Sequence, residues 1–268
     1  MGLTAFFLPE RLPRQVVYAG DRHAEVVSLS RGRITGRRRL EGVALAEALA
    51  DGGLGWAEVM AELRPVETGI VFSASPFIYN LFDFDRLPWS NKACGELVAW
   101  RLQKIFPGDL AAYDHRFFRL DRKRVLSILA PRSLRETAEA RFREKGVPLT
   151  FIGSSTLTLL RRMQAARPAP DFFIESDGPA CTLLFQNRRT PIYIRTFRGS
   201  SPADAVEETL KTVAFVRGQY GIEPRRYWLI DHRDSAAALA AALASLAGQE
   251  YTRLQSGLGE APHIPGSR

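Results

Sequence analysis

Between positions 15 and 40 short runs rich in apolar and β-branched residues are separated by turn residues, the pattern of strands joined by tight turns. Three runs, 15–20, 24–30 and 33–40, are joined by turns after Gly20 and at Arg31-Gly32, which predicts a strand–hairpin–strand unit. The pattern returns more than half the chain later. A run through Phe173 and Ile174 turns at Asp177-Gly178-Pro179, continues over 180–185, turns again at Asn187-Arg188-Arg189 and leaves as Ile192-Tyr193-Ile194-Arg195. Superposing Ile174 on Val17 aligns the two copies. A repeat at so large a distance predicts two related halves, because solenoid repeats recur every roughly 20–50 residues.

Between the copies the periodicity switches repeatedly. Helices are predicted at 43–49, closed by Asp51-Gly52-Gly53, and at 56–63, ended before Pro65. A buried strand follows at 69–75, then an extended stretch at 77–84 with alternate apolar residues. Ser90 is suited to cap a helix over 91–106 whose apolar face is read as Leu97, Trp100, Leu102 and Ile105. Strands are predicted at 113–120 and 125–130, a helix at 133–145 stopped by Gly146, a strand at 149–152 and a helix at 154–166. Arg167-Pro168-Ala169-Pro170 reads as a linker. After the second hairpin, Ser201 and Pro202 begin a helix that runs to Tyr220 before Gly221. A core strand at 227–230, an alanine-rich helix at 235–246 and a short strand at 251–254 complete the pattern. The expected division is a first half at 1–166 with a small insertion at about 77–130, a second half at 167–254, and a disordered tail at 255–268.

Composition changes this picture little. The 268 residues are 46% hydrophobic and 25% charged, ordinary for a globular chain with sizeable cores. No apolar run approaches the roughly 18–20 residues that cross a bilayer, and the start lacks the basic and apolar regions of a signal peptide. Cys94 and Cys181 are isolated and lack metal-ligand spacing. A cytoplasmic location is therefore expected. The formal charge of +8 is more informative, and it comes almost wholly from arginine. Such a surface suits nucleic acid, anionic lipid or an acidic protein, or is simply solvated. Its clusters, at 31–39, 116–124, 132–143, 161–167 and 188–198, form no single stripe, which argues against nucleic acid.

Several constellations invite chemistry. Asp21, His23 and Glu25 are close enough for a metal or acid–base site, but a solvated hairpin loop is the expectation. Asp231-His232-Arg233-Asp234 follows a core strand, at the end where ligands collect in open α/β sheets. Ser154-Ser155-Thr156 is read as helix-capping chemistry. There is no G-x-S-x-G, P-loop or H-E-x-x-H string. The aromatic series Phe77, Tyr79, Phe82, Phe84 and Trp89 exceeds what one face of a small subdomain buries. It is either core against the 91–106 helix or a set of partner anchors.

The order of elements and several strings resemble the PilM/GspL family of actin-like scaffold proteins of type IV pilus and type II secretion machines. The closest strings lie between Ile70 and Met163. They include Phe84-Asp85-Arg86-Leu87-Pro88-Trp89, the helix with Glu96, Trp100 and Gln103, Ile105-Phe106-Pro107, Val125-Leu126-Ser127-Ile128-Leu129-Ala130-Pro131 and Lys145-Gly146-Val147-Pro148. The resemblance implies an actin-like duplicated α/β fold: two related halves, each a mixed sheet with helices, and a small inserted subdomain in the first.

Nucleotide-binding members carry D-x-G-[ST] in the first hairpin, where main-chain N–H groups and a hydroxyl surround phosphate. Here Tyr18 holds the acid's position and Asp21 follows the retained Gly20. In the second hairpin Glu175 stands for the acid and Asp177 for the glycine, while Asp231 and His232 replace a later glycine pair. The subdomain that covers the adenosine has no room between the 192–196 strand and the 202–220 helix. These departures imply no nucleotide, no cofactor and no metal. The resemblance further implies a non-enzymatic cytoplasmic adaptor that reaches the inner membrane only through partners. Those partners are a PilN-like single-span membrane protein and the motor ATPase. The groove between the first core sheet and the insertion is the expected docking place, with Phe77, Tyr79, Phe82 and Phe84 as anchors and Arg37, Arg38 and Arg86 as a cationic rim. The competing reading is a divergent kinase-like or phosphatase-like enzyme working through Asp231 or Glu175, and a third is a basic nucleic-acid binder.

Overall fold

A computed structural model describes residues 5–6, 13–20, 23–31, 33–43, 54–73, 76–157, 170–177, 180–187, 190–198, 202–231, 241 and 251–254. The first predicted hairpin belongs to a six-stranded sheet. Its order is β1 (Ala5–Phe6), β9 (Leu149–Ser154), β5 (Thr68–Phe72), β2 (Gln15–Ala19), β3 (His23–Ser30) and β4 (Arg33–Glu41). The second hairpin belongs to a separate five-stranded sheet: β12 (Thr190–Arg198), β11 (Ala180–Asn187), β10 (Asp171–Asp177), β13 (Arg226–Asp231) and β14 (Tyr251–Leu254).

The two sheets share one plan. Strands β2, β3 and β4 form an antiparallel meander, as β10, β11 and β12 do; β2 and β10 also pair in parallel with β5 and β13, which pair in parallel with β9 and β14, and the first sheet adds β1 beyond β9. Even the register repeats: Val17 lies opposite Val26 and Ile70, and Ile174 opposite Leu183 and Leu229. The inner parallel strands are buried on both faces, which is why Ile70, Val71 and Phe72, like Tyr227, Trp228, Leu229 and Ile230, form unbroken apolar runs. Gly69 has a steric reason. A Cβ there would lie 1.9 Å from Cε1 of Phe151, its partner on β9, whose ring crosses the glycine.

A third, antiparallel sheet, β6 (Ile78–Asp83), β8 (Arg124–Pro131) and β7 (Tyr113–Arg119), arises within the stretch expected as an insertion. Helix α1 (Leu54–Glu62) buries Trp56, Val59 and Met60 in the main core. Helix α2 (Asn91–Ile105) starts where Ser90 Oγ accepts the Ala93 N–H at 3.1 Å. Its inward face is Cys94, Val98 and Leu102, against Phe82, Val125 and Leu129 of the small sheet. The expected face was partly wrong: Trp100 and Ile105 are exposed, because the turn positions of the small residues Cys94 and Val98 are the ones that approach the sheet. Helix α3 (Arg132–Glu144) buries Leu134, Ala138 and Phe142 at four-residue spacing and ends before Gly146, whose φ of 72° is the left-handed conformation glycine accepts readily. Helix α4 (Pro202–Tyr220) covers one face of the second sheet with Ala205, Val206 and Val216.

The other face of the second sheet joins the first half. Phe173, Leu184, Trp228 and Ile230 belong to one apolar cluster with Tyr79, Leu126 and Ile128 of the small sheet and with the core of the first sheet. Only three positions separate the end of β12 from α4, so no covering subdomain intervenes there. Residues 155–157 are helical as expected. The expected helices at 43–49 and 235–246, the remainder of that at 154–166, and the tail fall outside the described residues, apart from Val43 and Ala241.

Candidate functional site

In open α/β sheets ligands enter at the carboxyl ends of parallel strands. Here that region includes the place where β9 and β10 end and β6 begins, and among the described residues four buried polar side chains meet there. The Tyr79 hydroxyl donates to Ser154 Oγ at 2.7 Å, and the Leu157 N–H donates to the same oxygen at 3.3 Å. The Thr156 hydroxyl donates to Glu175 Oε2 at 2.6 Å. Tyr79, Ser154, Thr156 and Glu175 are all buried. Thr182 lies opposite Glu175 on β11, and its hydroxyl is 3.0 Å from that of Thr196 on β12. Ser154 and Thr156 thus serve this seam as well as the helix start. Burial raises the Tyr79 pKa well above the ordinary phenol value. The hydrogen bonds to Ser154 and Thr156 oppose that rise, and the nearby Glu175 charge adds to it. A cavity of about 270 Å³ lies beside it between β6 and β12, bordered by Phe77, Tyr79, Phe197 and Arg198.

The first hairpin builds a different cluster. Glu25 and His23 are buried, contrary to the solvated loop expected of them, because both point to the same covered face of β3. Arg37, on β4, grips Glu25 through Nε at 3.1 Å and Nη2 at 2.7 Å. His23 Nε2 is 3.9 Å from Glu25 Oε1, and the His23 ring lies 5.5 Å from that of Tyr18, itself buried on β2. Such a bidentate pair anchors an edge strand. The Gly20 N–H closes the turn on the His23 carbonyl at 2.9 Å. Asp21 and His232 fall outside the described residues, as do the side chains of Asp177 and Asp231, whose backbones end β10 and β13.

The expected partner anchors do not assemble. Phe77 and Tyr79 are buried in the main core and Phe82 in the core beneath α2, so these three aromatics are packing residues. Only Phe84 is partly open. Arg37 and Arg38 sit on the outermost strand of the first sheet, paired with Glu25 and Glu62, while exposed Arg86 lies in the segment before α2. Alternation along β6 sends Tyr79 and Phe82 to opposite faces, and both faces are covered, which sequence alone did not reveal. A groove of about 460 Å³ is nevertheless present beside Phe84, bordered by Asp83, Asp85, Leu97, Trp100, Arg101 and Lys123. Trp100 is half exposed with Lys104 Nζ 3.8 Å from its ring centroid. Among the described residues no cluster of three or more His, Cys, Asp or Glu is arranged to hold a metal ion, and no helix is long and apolar enough to cross a membrane.

Paired mixed sheets of one plan, each opening on a hairpin, define an actin-like fold, and solved structures agree. A chain of a PilM–PilN type IV pilus biogenesis complex superposes with a TM-score of 0.72 at 13% identity, covering 91% of this chain and 88% of that one. The cytoplasmic domain of EpsL, an inner-membrane component of the Vibrio cholerae type II secretion system, gives 0.58 at 10% identity, covering 92% and 90%. A Bacteroides thetaiotaomicron protein described as having an actin-like ATPase fold and unknown function gives 0.57 at 9% identity, covering 90% of each chain. No protein-family model and no curated protein matches the sequence. At these identities the likeness is one of fold.

Proposed function

We propose that this protein is a non-enzymatic adaptor of a type IV pilus or type II secretion assembly platform, built on an actin-like fold that has given up nucleotide. The observation that carries the reading is the buried, hydrogen-bonded Glu175. Glu175 holds the position of a phosphate-site acid, yet it is buried under the Thr156 hydroxyl beside the Tyr79–Ser154 pair. A polyphosphate would have to displace these bonds and approach a buried carboxylate, which Coulomb repulsion opposes. The two halves would then serve as a rigid frame, divided at 1–166 and 167–254. The docked partner is the cytoplasmic segment of a PilN-like single-span membrane protein, with the motor ATPase as a second contact. Phe84, Leu97 and Trp100 supply the apolar floor of the docking groove.

Two measurements test this. A nucleotide bound at a hundredfold excess over its Kd stabilises a fold by about 2.7 kcal/mol, which for a chain of this size raises Tm by roughly 5–10 °C. No shift is expected with millimolar Mg²⁺-ATP, and a reproducible one would favour the kinase-like or phosphatase-like reading. In co-purification with the cytoplasmic segment of a PilN-like protein, Trp100→Ala is expected to weaken capture about tenfold or more at unchanged Tm. Undiminished capture would remove the groove from the proposal.

A further inference from the structure

A second surface, the tip formed by the segment before α2 and the β7–β8 turn, has a composition of its own. Trp89 is 84% exposed, the most exposed large apolar side chain among the described residues. The chain around it is not loose. The Phe84 and Leu87 N–H groups donate to the carbonyls of Lys123 and Arg122 at 2.9 and 3.0 Å, and Arg119 Nη1 donates to the Trp89 carbonyl at 3.0 Å. Asp121 Oδ1 accepts the Lys123 and Arg124 N–H groups, each at 2.8 Å, and Leu87 is buried beneath the segment. The indole therefore projects from a pinned support. Around it stand the exposed cations Arg86, Lys92, Arg119, Arg122 and Lys123. The exposed acids of the same segments are Asp83, Asp85 and Asp121, and Asp121 is already neutralised by Arg124 at 2.7 Å.

We infer that this tip is a membrane-surface contact, with Trp89 seated among anionic phospholipid headgroups and the surrounding cations held against them. Indole rings partition to the bilayer interface because one edge is polar and the body apolar. Clustered arginine and lysine are drawn to the negative surface potential, each strengthening binding several-fold at physiological ionic strength. A single projecting ring with a basic collar fits a soft, anionic plane better than a protein pocket, which would enclose the indole between walls. The contact turns on Trp89, whereas the protein docking proposed above turns on Phe84, Leu97 and Trp100; Asp85 and Lys123 border both.

The test is co-sedimentation of the full chain with vesicles of phosphatidylcholine alone or mixed with phosphatidylglycerol. Binding is expected only to the mixed vesicles, falling as salt rises. Trp89→Ala and the double variant Lys92→Glu/Arg122→Glu are each expected to lower partitioning about tenfold or more. Trp89→Phe should retain part of it, and Trp100→Ala all of it. Tm should stay at the parent value throughout, since these side chains are exposed. The inference is overturned if neither vesicle retains the protein, if phosphatidylcholine binds it equally, or if the tip variants sediment like the parent. It is equally overturned if they keep lipid binding but lose capture of an acidic protein or of RNA, which would give the tip to that partner.

Discussion

Replacing Tyr79 by phenylalanine removes one buried hydroxyl from the seam between β6 and β9 and leaves the ring's packing in place. The hydroxyl is buried and donates to Ser154 Oγ at 2.7 Å, while Ser154 keeps the Leu157 N–H at 3.3 Å. Loss of one such bond costs about 1 kcal/mol. Proton linkage then makes the difference depend on pH. The Tyr79 pKa is raised in the folded protein, first by burial and also by the Glu175 charge. In the unfolded chain the phenol ionises near pH 10, while in the folded chain it stays protonated. Above about pH 10 the unfolded state therefore binds fewer protons than the folded one, and stability falls by up to about 1.4 kcal/mol per pH unit. The phenylalanine variant lacks this loss, and other tyrosines cancel in the comparison. Urea unfolding should find it less stable by about 1 kcal/mol at pH 8, with the gap closing and the two curves crossing near pH 11. A constant gap from pH 8 to pH 11, or equal stability at pH 8, would mean that Tyr79 is not buried against Ser154 and that the seam is open.

Asp171→Ala strikes a fully buried carboxylate that accepts from Arg226 Nε at 2.5 Å and Nη2 at 2.8 Å, Trp228 Nε1 at 3.1 Å and Gln186 Nε2 at 3.3 Å. Breaking a buried pair costs about 3–5 kcal/mol, reduced here to roughly 2–4 because Arg226 is 29% exposed and regains water. Urea denaturation should show that loss, and a change below about 1 kcal/mol would refute a structural role for the cluster. Gly69→Ala should lower stability by about 1–3 kcal/mol, since Phe151 must leave its place over β5. An unchanged unfolding midpoint would show that the ring moves freely.

The elements themselves were legible in the chain because local physics writes them. Apolar runs broken by turn residues marked both hairpins, Ser90 marked the start of α2, and Gly146 and Gly221 marked helix ends with their positive φ of 72° and 64°. The duplicated plan could also be read, since a repeat of strand, turn and strand needs only the order of residues. What the local pattern left open was which faces find cover. His23 and Glu25 resemble loop chemistry until β4 brings Arg37 beside them. Phe77, Tyr79 and Phe82 suit a binding surface equally well until α2 covers one face of the small sheet and the second half closes on the other. Trp100 leaves its expected place on the buried face and Val98 takes it, because the approach of the sheet selects the helix stripe. Glu175, predicted as a degenerate phosphate-site acid, acquires Thr156 from a helix start that precedes the linker. Burial and pairing across long sequence separations depend on contacts that no local window contains. For this protein the sequence determined the strands, the caps and the repeat, and tertiary packing decided which polar groups became core and which aromatic side chains were left facing solvent.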